Sequence, residues 1–145
     1  MRVALDTNIL LYAEGVNSVS RKQAALDVIR KVEASDLVIP VQALGELFYV
    51  LVRKAGRTAA RARDAVRAWQ EMADIAPNSA TSFSAAMDLS VGHHLAIWDS
   101  IILSAADEAQ CRILLSEDLH DGFSWGGVTV CNPFGSRPHP LLKSL

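Results

Sequence analysis

Cysteine is scarce in this chain of 145 residues, and the two present, Cys111 and Cys131, form no CxxC pair. That scarcity excludes a Cys-rich zinc or disulfide framework, and both fall in separate predicted strands, as reduced core thiols of a cytosolic protein do. Long apolar segments are missing too. The run Leu47-Phe48-Tyr49-Val50-Leu51-Val52 falls far short of the ~20 residues that a membrane-spanning helix needs. Asp6 and Asn8 interrupt the N-terminal apolar stretch, so no secretory signal is expected. Neither sign of charge dominates. A formal net charge of −2 excludes a broadly basic nucleic-acid binder while allowing a local basic patch. No G-x-G-x-x-G follows the first apolar run, which disfavours a dinucleotide-binding domain. There is no internal repeat, low-complexity tract or interdomain boundary.

What the chain does have is a core. Half of its residues are hydrophobic and 21% are charged, as in a single folded domain and unlike a disordered chain. Short apolar runs alternate with amphipathic stretches. Val3-Ala4-Leu5, Leu37-Val38-Ile39, Cys111 to Leu115 and Val128-Thr129-Val130 read as buried strands, and Ala73 to Pro77 as a marginal one. Helices are expected from Ile9, from Ser18 or Ser20 to about Ala34, from Val41 to Lys54, and from Thr58 to Met72. Two more are expected from Thr81 to Val91, stopped by Gly92, and from Ile97 to Ala109. Beyond Gly135, Pro138 and Pro140 suggest an extended tail. The alternation predicts an α/β fold, three layers α/β/α about a mainly parallel sheet.

Acids stand where such a fold binds ligands. Asp6 closes the first strand, and Asp118 follows the strand ending at Leu115. Asp99 opens a helix, and Glu46 lies in the first turns of another, on the boundary of its apolar stripe. Strand ends and helix starts share one side of a parallel sheet, where the ligand crevice forms. Taken singly, Asp6 and Asp99 read as helix caps, Asp118 as a turn residue and Glu46 as a solvated acid. Taken together they repel, and a divalent cation is the usual reason to tolerate that. All-oxygen ligands favour Mg²⁺ or Mn²⁺ over zinc, and such a site suits phosphodiester hydrolysis by a metal-activated water. His93, His94, His120 and His139 lack metal-ligand spacing.

Leu5-Asp6-Thr7-Asn8, Glu46-Leu47, Trp98-Asp99-Ser100 and Leu115-Ser116-Glu117-Asp118-Leu119 together resemble the motifs of PIN-domain ribonucleases, close to the VapC-type toxins of bacterial toxin–antitoxin pairs. Asp121-Gly122 and Asn132-Pro133-Phe134 match the usual ending of such chains. The resemblance covers about residues 1 to 134, as a nuclease domain, and leaves 135 to 145 as a tail. It implies an Mg²⁺-dependent endoribonuclease site (Mn²⁺ being an alternative) built from Asp6, Glu46, Asp99 and Asp118, with Asn8 and Ser116 in support. It also implies an RNA substrate, a partner antitoxin, a cytoplasmic location and a homodimer. Ser100 departs from the small apolar residue commoner there.

Two other surfaces draw notice. Arg53, Lys54, Arg57, Arg61, Arg63 and Arg67 read as a solvated charged face, with Asp64 paired to Arg61 or Arg67, or else as a surface for RNA or an acidic partner. Trp69, Trp98 and Trp125 read as packing residues, with Trp125 in its Gly-flanked loop open to base stacking. A haloacid-dehalogenase-like phosphatase also starts with a strand-terminal Asp. Such an enzyme wants a second Asp where this chain has Asn8, and a downstream lysine where none occurs between Lys54 and Lys143. A non-catalytic scaffold that retains the acids is the third reading; activity with Mn²⁺ separates it from the nuclease.

Overall fold

A computed structural model describes residues 1–145. Strand β1 (Val3–Leu5) is buried on both faces, as a continuous apolar run requires in the middle of a parallel sheet. It leads into α1 (Thr7–Ala13), then α2 (Val19–Ile29), β2 (Leu37–Pro40), α3 (Val41–Arg53), α4 (Ala59–Met72) and β3 (Asp74–Ala76). The second half adds α5 (Ala80–His93), α6 (Ile97–Glu108), β4 (Ile113–Leu115), β5 (Ser124–Trp125) and β6 (Val128–Cys131). The sheet order is β3-β2-β1-β4-β6-β5, parallel except for the β5–β6 hairpin. Helices α1 to α4 pack on one another in one layer, and α5 pairs with α6 in the other. The three-layer α/β/α architecture is therefore as expected.

The order places a topological switch point beside β1. The chain winds outward through β2 and β3, then crosses over to β4 on the other side of β1. At such a point the connections leave in opposite directions, and a crevice opens at the carboxyl ends of the strands. Leu5 pairs in register with Leu115, so the residues that follow them, Asp6 and Ser116, emerge side by side.

Several boundaries differ from the sequence reading, each for a local reason. Helix α1 starts at Thr7 because Asp6 itself is the N-cap, a role expected of Thr7 or Asn8. Ser18 caps α2 by accepting from the Arg21 amide, but the helix ends at Ile29, five residues early, where exposed Arg30 and Lys31 break the apolar stripe. Gly92 does not stop α5, which runs on to His93 and ends with His94 in the left-handed region at φ 55°. A helix-interior glycine costs only ~1 kcal/mol, and the capping box of Ser79 and Ser82 secures the other end. Strand β4 begins at Ile113 rather than Cys111, and the hairpin strand β5 lies in what reads as loop. Gly126 turns that hairpin at φ +56°, and a Cβ there would strike the Asp107 carboxylate that accepts from the Gly127 amide.

The chain end is not extended. Residues Pro140–Ser144 form a 3₁₀ turn, and Leu142 is buried in the main apolar core. Cys111 and Cys131 are free, buried thiols, as expected, and burial pushes both up to about 11. Of the basic stretch, Arg57 is drawn inward: it donates to Glu14 Oε2 at 2.6 Å, while Trp69 Nε1 donates to Glu14 Oε1 at 2.8 Å. Glu14 thereby ties α4 to the end of α1. Asp64 pairs with its neighbour Arg63 rather than with Arg61 or Arg67. Phe48, expected in the core stripe of α3, is 39% exposed because α4 covers only part of that face. No helix is long and apolar enough to cross a membrane.

Candidate active site

The crevice at the switch point is lined by acids. Asp6 is 3% exposed, the most buried acid of the chain. Its Oδ1 accepts from the Thr7 amide at 2.7 Å, and its Oδ2 accepts from Ser116 Oγ at 2.5 Å and Asn8 Nδ2 at 2.8 Å. It caps α1 and is also held by two side-chain donors. Those donors stabilise the charged form, yet burial outweighs them. Desolvation, aided by the charges of Asp99 and Asp118, raises the Asp6 carboxyl to about 6.

Asn8 spans the crevice. The same Nδ2 that holds Asp6 also donates to Asp118 Oδ2 at 3.1 Å, while its Oδ1 accepts from the Glu117 amide at 3.2 Å. One side chain on α1 thus fixes the loop after β4 against the end of β1. A second Asp at this position, as a phosphatase would have, could supply neither donated bond.

Glu46 reaches the site from the second turn of α3. Thr7 Oγ1 donates to its Oε2 at 2.9 Å, and Gln42 Nε2 donates to its Oε1 at 3.0 Å. Asp99 projects from the first turn of α6, half-buried, and its carboxyl is raised by desolvation and then by the charges of Glu46 and Asp118. Each of the four acids therefore feels at least one of the others. None of them is paired with a lysine, arginine or histidine: the ion pairs of the chain all lie elsewhere. Uncompensated carboxylates at one crevice are costly, and an oxygen-ligated divalent cation answers that cost. No three acidic, histidine or cysteine side chains close tightly enough to enclose an ion by themselves. Neutral donors satisfy oxygens of Asp6, Glu46 and Asp118, and the donor set fits a cation that keeps part of its water shell, as Mg²⁺ does.

Residues outside the motifs also shape the site. Tyr12 Oη and Arg21 each reach Glu117 at 2.6 Å, and Arg21 lies over the Phe134 ring at 4.6 Å. This strap braces the loop that carries Ser116 and Asp118. The later motif residues belong to the same frame, since Asp121 accepts from the Asn132 amide and Asn132 from the Phe134 amide. The sequence reading misses Gln42, although its place four residues before Glu46 on one helix face is a signal for it; the Tyr12–Arg21–Glu117 strap, which joins three separate segments, gives no such signal. Ser100 is fully buried and its hydroxyl has no partner, a cost of about 1–3 kcal/mol for the departure at that position. Of the histidines, His93 packs edge-on against Phe123, and His139 caps the final turn.

The family model described as the PIN domain matches residues 3–122. No curated relative matches in sequence. Solved structures match in fold. A toxin–antitoxin complex from Klebsiella pneumoniae aligns over 91% of this chain and 98% of its own, with 20% identity and a TM-score of 0.69. VapC20 of Mycobacterium tuberculosis, a Sarcin-Ricin loop cleaving toxin, aligns over 80% of this chain and 89% of its own, with 16% identity and a TM-score of 0.66. VapBC2 of Rickettsia felis, bound to a DNA fragment from its promoter, aligns over 90% and 97%, with 18% identity and a TM-score of 0.65.

Proposed function

Because the chain belongs to the PIN-domain family, we propose that it is a metal-dependent endoribonuclease and the toxin of a toxin–antitoxin pair. The observation that carries this reading is the set of Asp6, Glu46, Asp99 and Asp118, mutually repelling and without any basic partner. These residues would hold Mg²⁺ or Mn²⁺, which would supply activation of a water and neutralisation of phosphate charge. The chain's own side chains do the positioning. Asn8 sets the spacing of Asp6 and Asp118, Ser116 keeps Asp6 oriented, and Thr7 with Gln42 fixes Glu46. Burial raises the Asp6 carboxyl to about 6, so a cation and a proton compete for it near that pH.

Single-stranded RNA incubated with Mg²⁺ or Mn²⁺ is expected to be cut to fragments ending in 5′-phosphate and 3′-hydroxyl. In-line attack of water on phosphorus with the 3′ oxygen leaving gives those ends. EDTA is expected to stop the reaction. Cleavage undiminished by EDTA, or products ending in 2′,3′-cyclic phosphate, contradicts the reading.

A toxin needs restraint in its own cytoplasm, and structural relatives are described as complexes with antitoxins. Between α3 and α4 lies a cavity of about 360 Å³ lined by Val41, Leu44, Phe48 and Val66 and rimmed by Arg63 and Arg67. An amphipathic antitoxin helix with acidic flanks suits that groove. A basic side chain continuing from it into the crevice would satisfy the acids in place of the cation. Phe83, Met87 and Val91, at i, i+4 and i+8 on α5, form an exposed apolar stripe suited to a homodimer contact.

A further inference from the structure

Trp98 is 58% exposed and Tyr49 60% exposed, although both carry large apolar rings. Single exposed apolar residues are ordinary on protein surfaces. These two are not scattered. Both border one cavity of about 550 Å³, whose other lining residues are Gln42, Glu46, Ala96 and Asp99. That volume lies within the range of small-molecule sites, roughly 300–1,000 Å³. Gln42, Glu46 and Tyr49 stand at i, i+4 and i+7 on α3, so one helical stripe presents both an acid and an aromatic ring to the cavity. On the facing wall Trp98 directly precedes Asp99 in the first turn of α6. Each aromatic residue is thus locked by its own helix beside one acid of the site.

We propose that Trp98 and Tyr49 form a stacking platform for an unpaired nucleobase next to the scissile phosphate, which makes them specificity-determining residues for single-stranded RNA. The inference rests on the nuclease reading and names what that site holds beyond the phosphate. Acids alone repel a polynucleotide, and no arginine or lysine lines this cavity, Arg63 and Arg67 lying in the groove on the α4 side of α3. Base stacking on aromatic rings supplies attraction without positive charge and tolerates any base, because every base has a π face. A duplex keeps its bases stacked on one another and cannot use the platform, so the selection is for unpaired strands. Trp125, the stacking candidate read from the sequence, is half-buried beside Thr81, Ser82 and Asp107 and lies outside this cavity.

The test measures affinity separately from cleavage. A labelled single-stranded oligoribonucleotide is titrated in Mn²⁺ with the Asp6→Asn protein and with the same protein carrying Trp98→Ala, Trp98→Phe or Tyr49→Ala. Loss of one stacked base is expected to weaken binding about tenfold or more in both alanine variants, and Trp98→Phe is expected to recover most of it. In the Asp6-containing protein, Trp98→Ala is expected to raise KM with kcat little changed, and duplex RNA is expected to show no dependence on Trp98. Unchanged affinity in Trp98→Ala, or no binding by the Asp6→Asn protein, overturns the platform. A lower molecular mass in solution for Trp98→Ala with RNA affinity unchanged overturns it in favour of a contact with a second copy. If wild type fails to cut RNA while binding still depends on Trp98, the nuclease reading falls and the platform stands. Cleavage by wild type with an unaltered KM in Trp98→Ala gives the reverse.

Discussion

Asp6→Asn is expected to abolish RNA cleavage and to leave the metal-free protein at least as stable as wild type at pH 7. The loss of activity follows from losing a charged ligand at the centre of the site. Cation stabilisation of charge in the transition state is worth several kcal/mol, and at ~1.36 kcal/mol per factor of ten the fall is about a thousandfold or more. The stability result is the more discriminating half. A carboxyl raised from 3.8 to about 6 by burial and by Asp99 and Asp118 costs the folded chain about 3 kcal/mol when ionised. Asparagine removes that cost and still accepts from the Thr7 amide through its one oxygen. It does give up the bond from Asn8, at about 1 kcal/mol, and the Ser116 hydroxyl must turn from donating to accepting. Denaturant melts in EDTA read the balance. A variant that unfolds well below metal-free wild type would make Asp6 a structural residue.

Metal-free wild type is expected to gain stability as pH falls from 7 towards 5, against the common trend for paired carboxylates. Between 3.8 and about 6 the folded chain holds the Asp6 proton more firmly than the unfolded chain does, so stability decreases as pH rises through this window. Above it the full cost of roughly 3 kcal/mol is present, and below 3.8 none is. Asp99 is raised as well and adds in the same direction. Subtracting the Asp6→Asn melt from the wild-type melt at pH 5, 6 and 7 isolates the Asp6 part, which should shrink as pH falls. Saturating Mg²⁺ or Mn²⁺ is expected to flatten the trend. A cation at a hundred times its Kd stabilises by about 2.7 kcal/mol at pH 7 and outcompetes the proton until pH falls well below 6, so stability changes little between pH 7 and 5. A metal-free difference between wild-type and Asp6→Asn melts that stays flat with pH contradicts this account of the site.

Much of the crevice is legible in the sequence. Val3-Ala4-Leu5 and Ile113-Leu114-Leu115 are apolar without alternation, a pattern that only a strand buried on both faces explains, and such strands point their ends at a ligand. Asp6 and Asp118 could therefore be placed on one side of the sheet. Their neighbourhood could not be, because strand order is a non-local property, settled by how α5 and α6 cross over to bring β4 against β1. The same limit hid the platform. Tyr49 and Trp98 lie far apart in sequence, and only the packing of α3 against α6 brings them to one cavity. Trp98 read as a packing residue because aromatic rings usually are buried; its position at the first turn of α6 leaves it without a neighbour to cover it. The tail misled for a simpler reason. Pro138 and Pro140 signal extended backbone, but Leu142 lies beyond them and is drawn into the core by burial of its side chain.

The central claim is that four acids without basic partners exist to hold a divalent cation. Anomalous diffraction from a crystal soaked in Mn²⁺ tests it directly. The account predicts a peak in the crevice among Asp6, Glu46, Asp99 and Asp118, bound by some of them through oxygen and by the others through water, and weakened in Asp6→Asn crystals. Saturating Mn²⁺ with no peak in that crevice, or with peaks only at other surface acids, would contradict it.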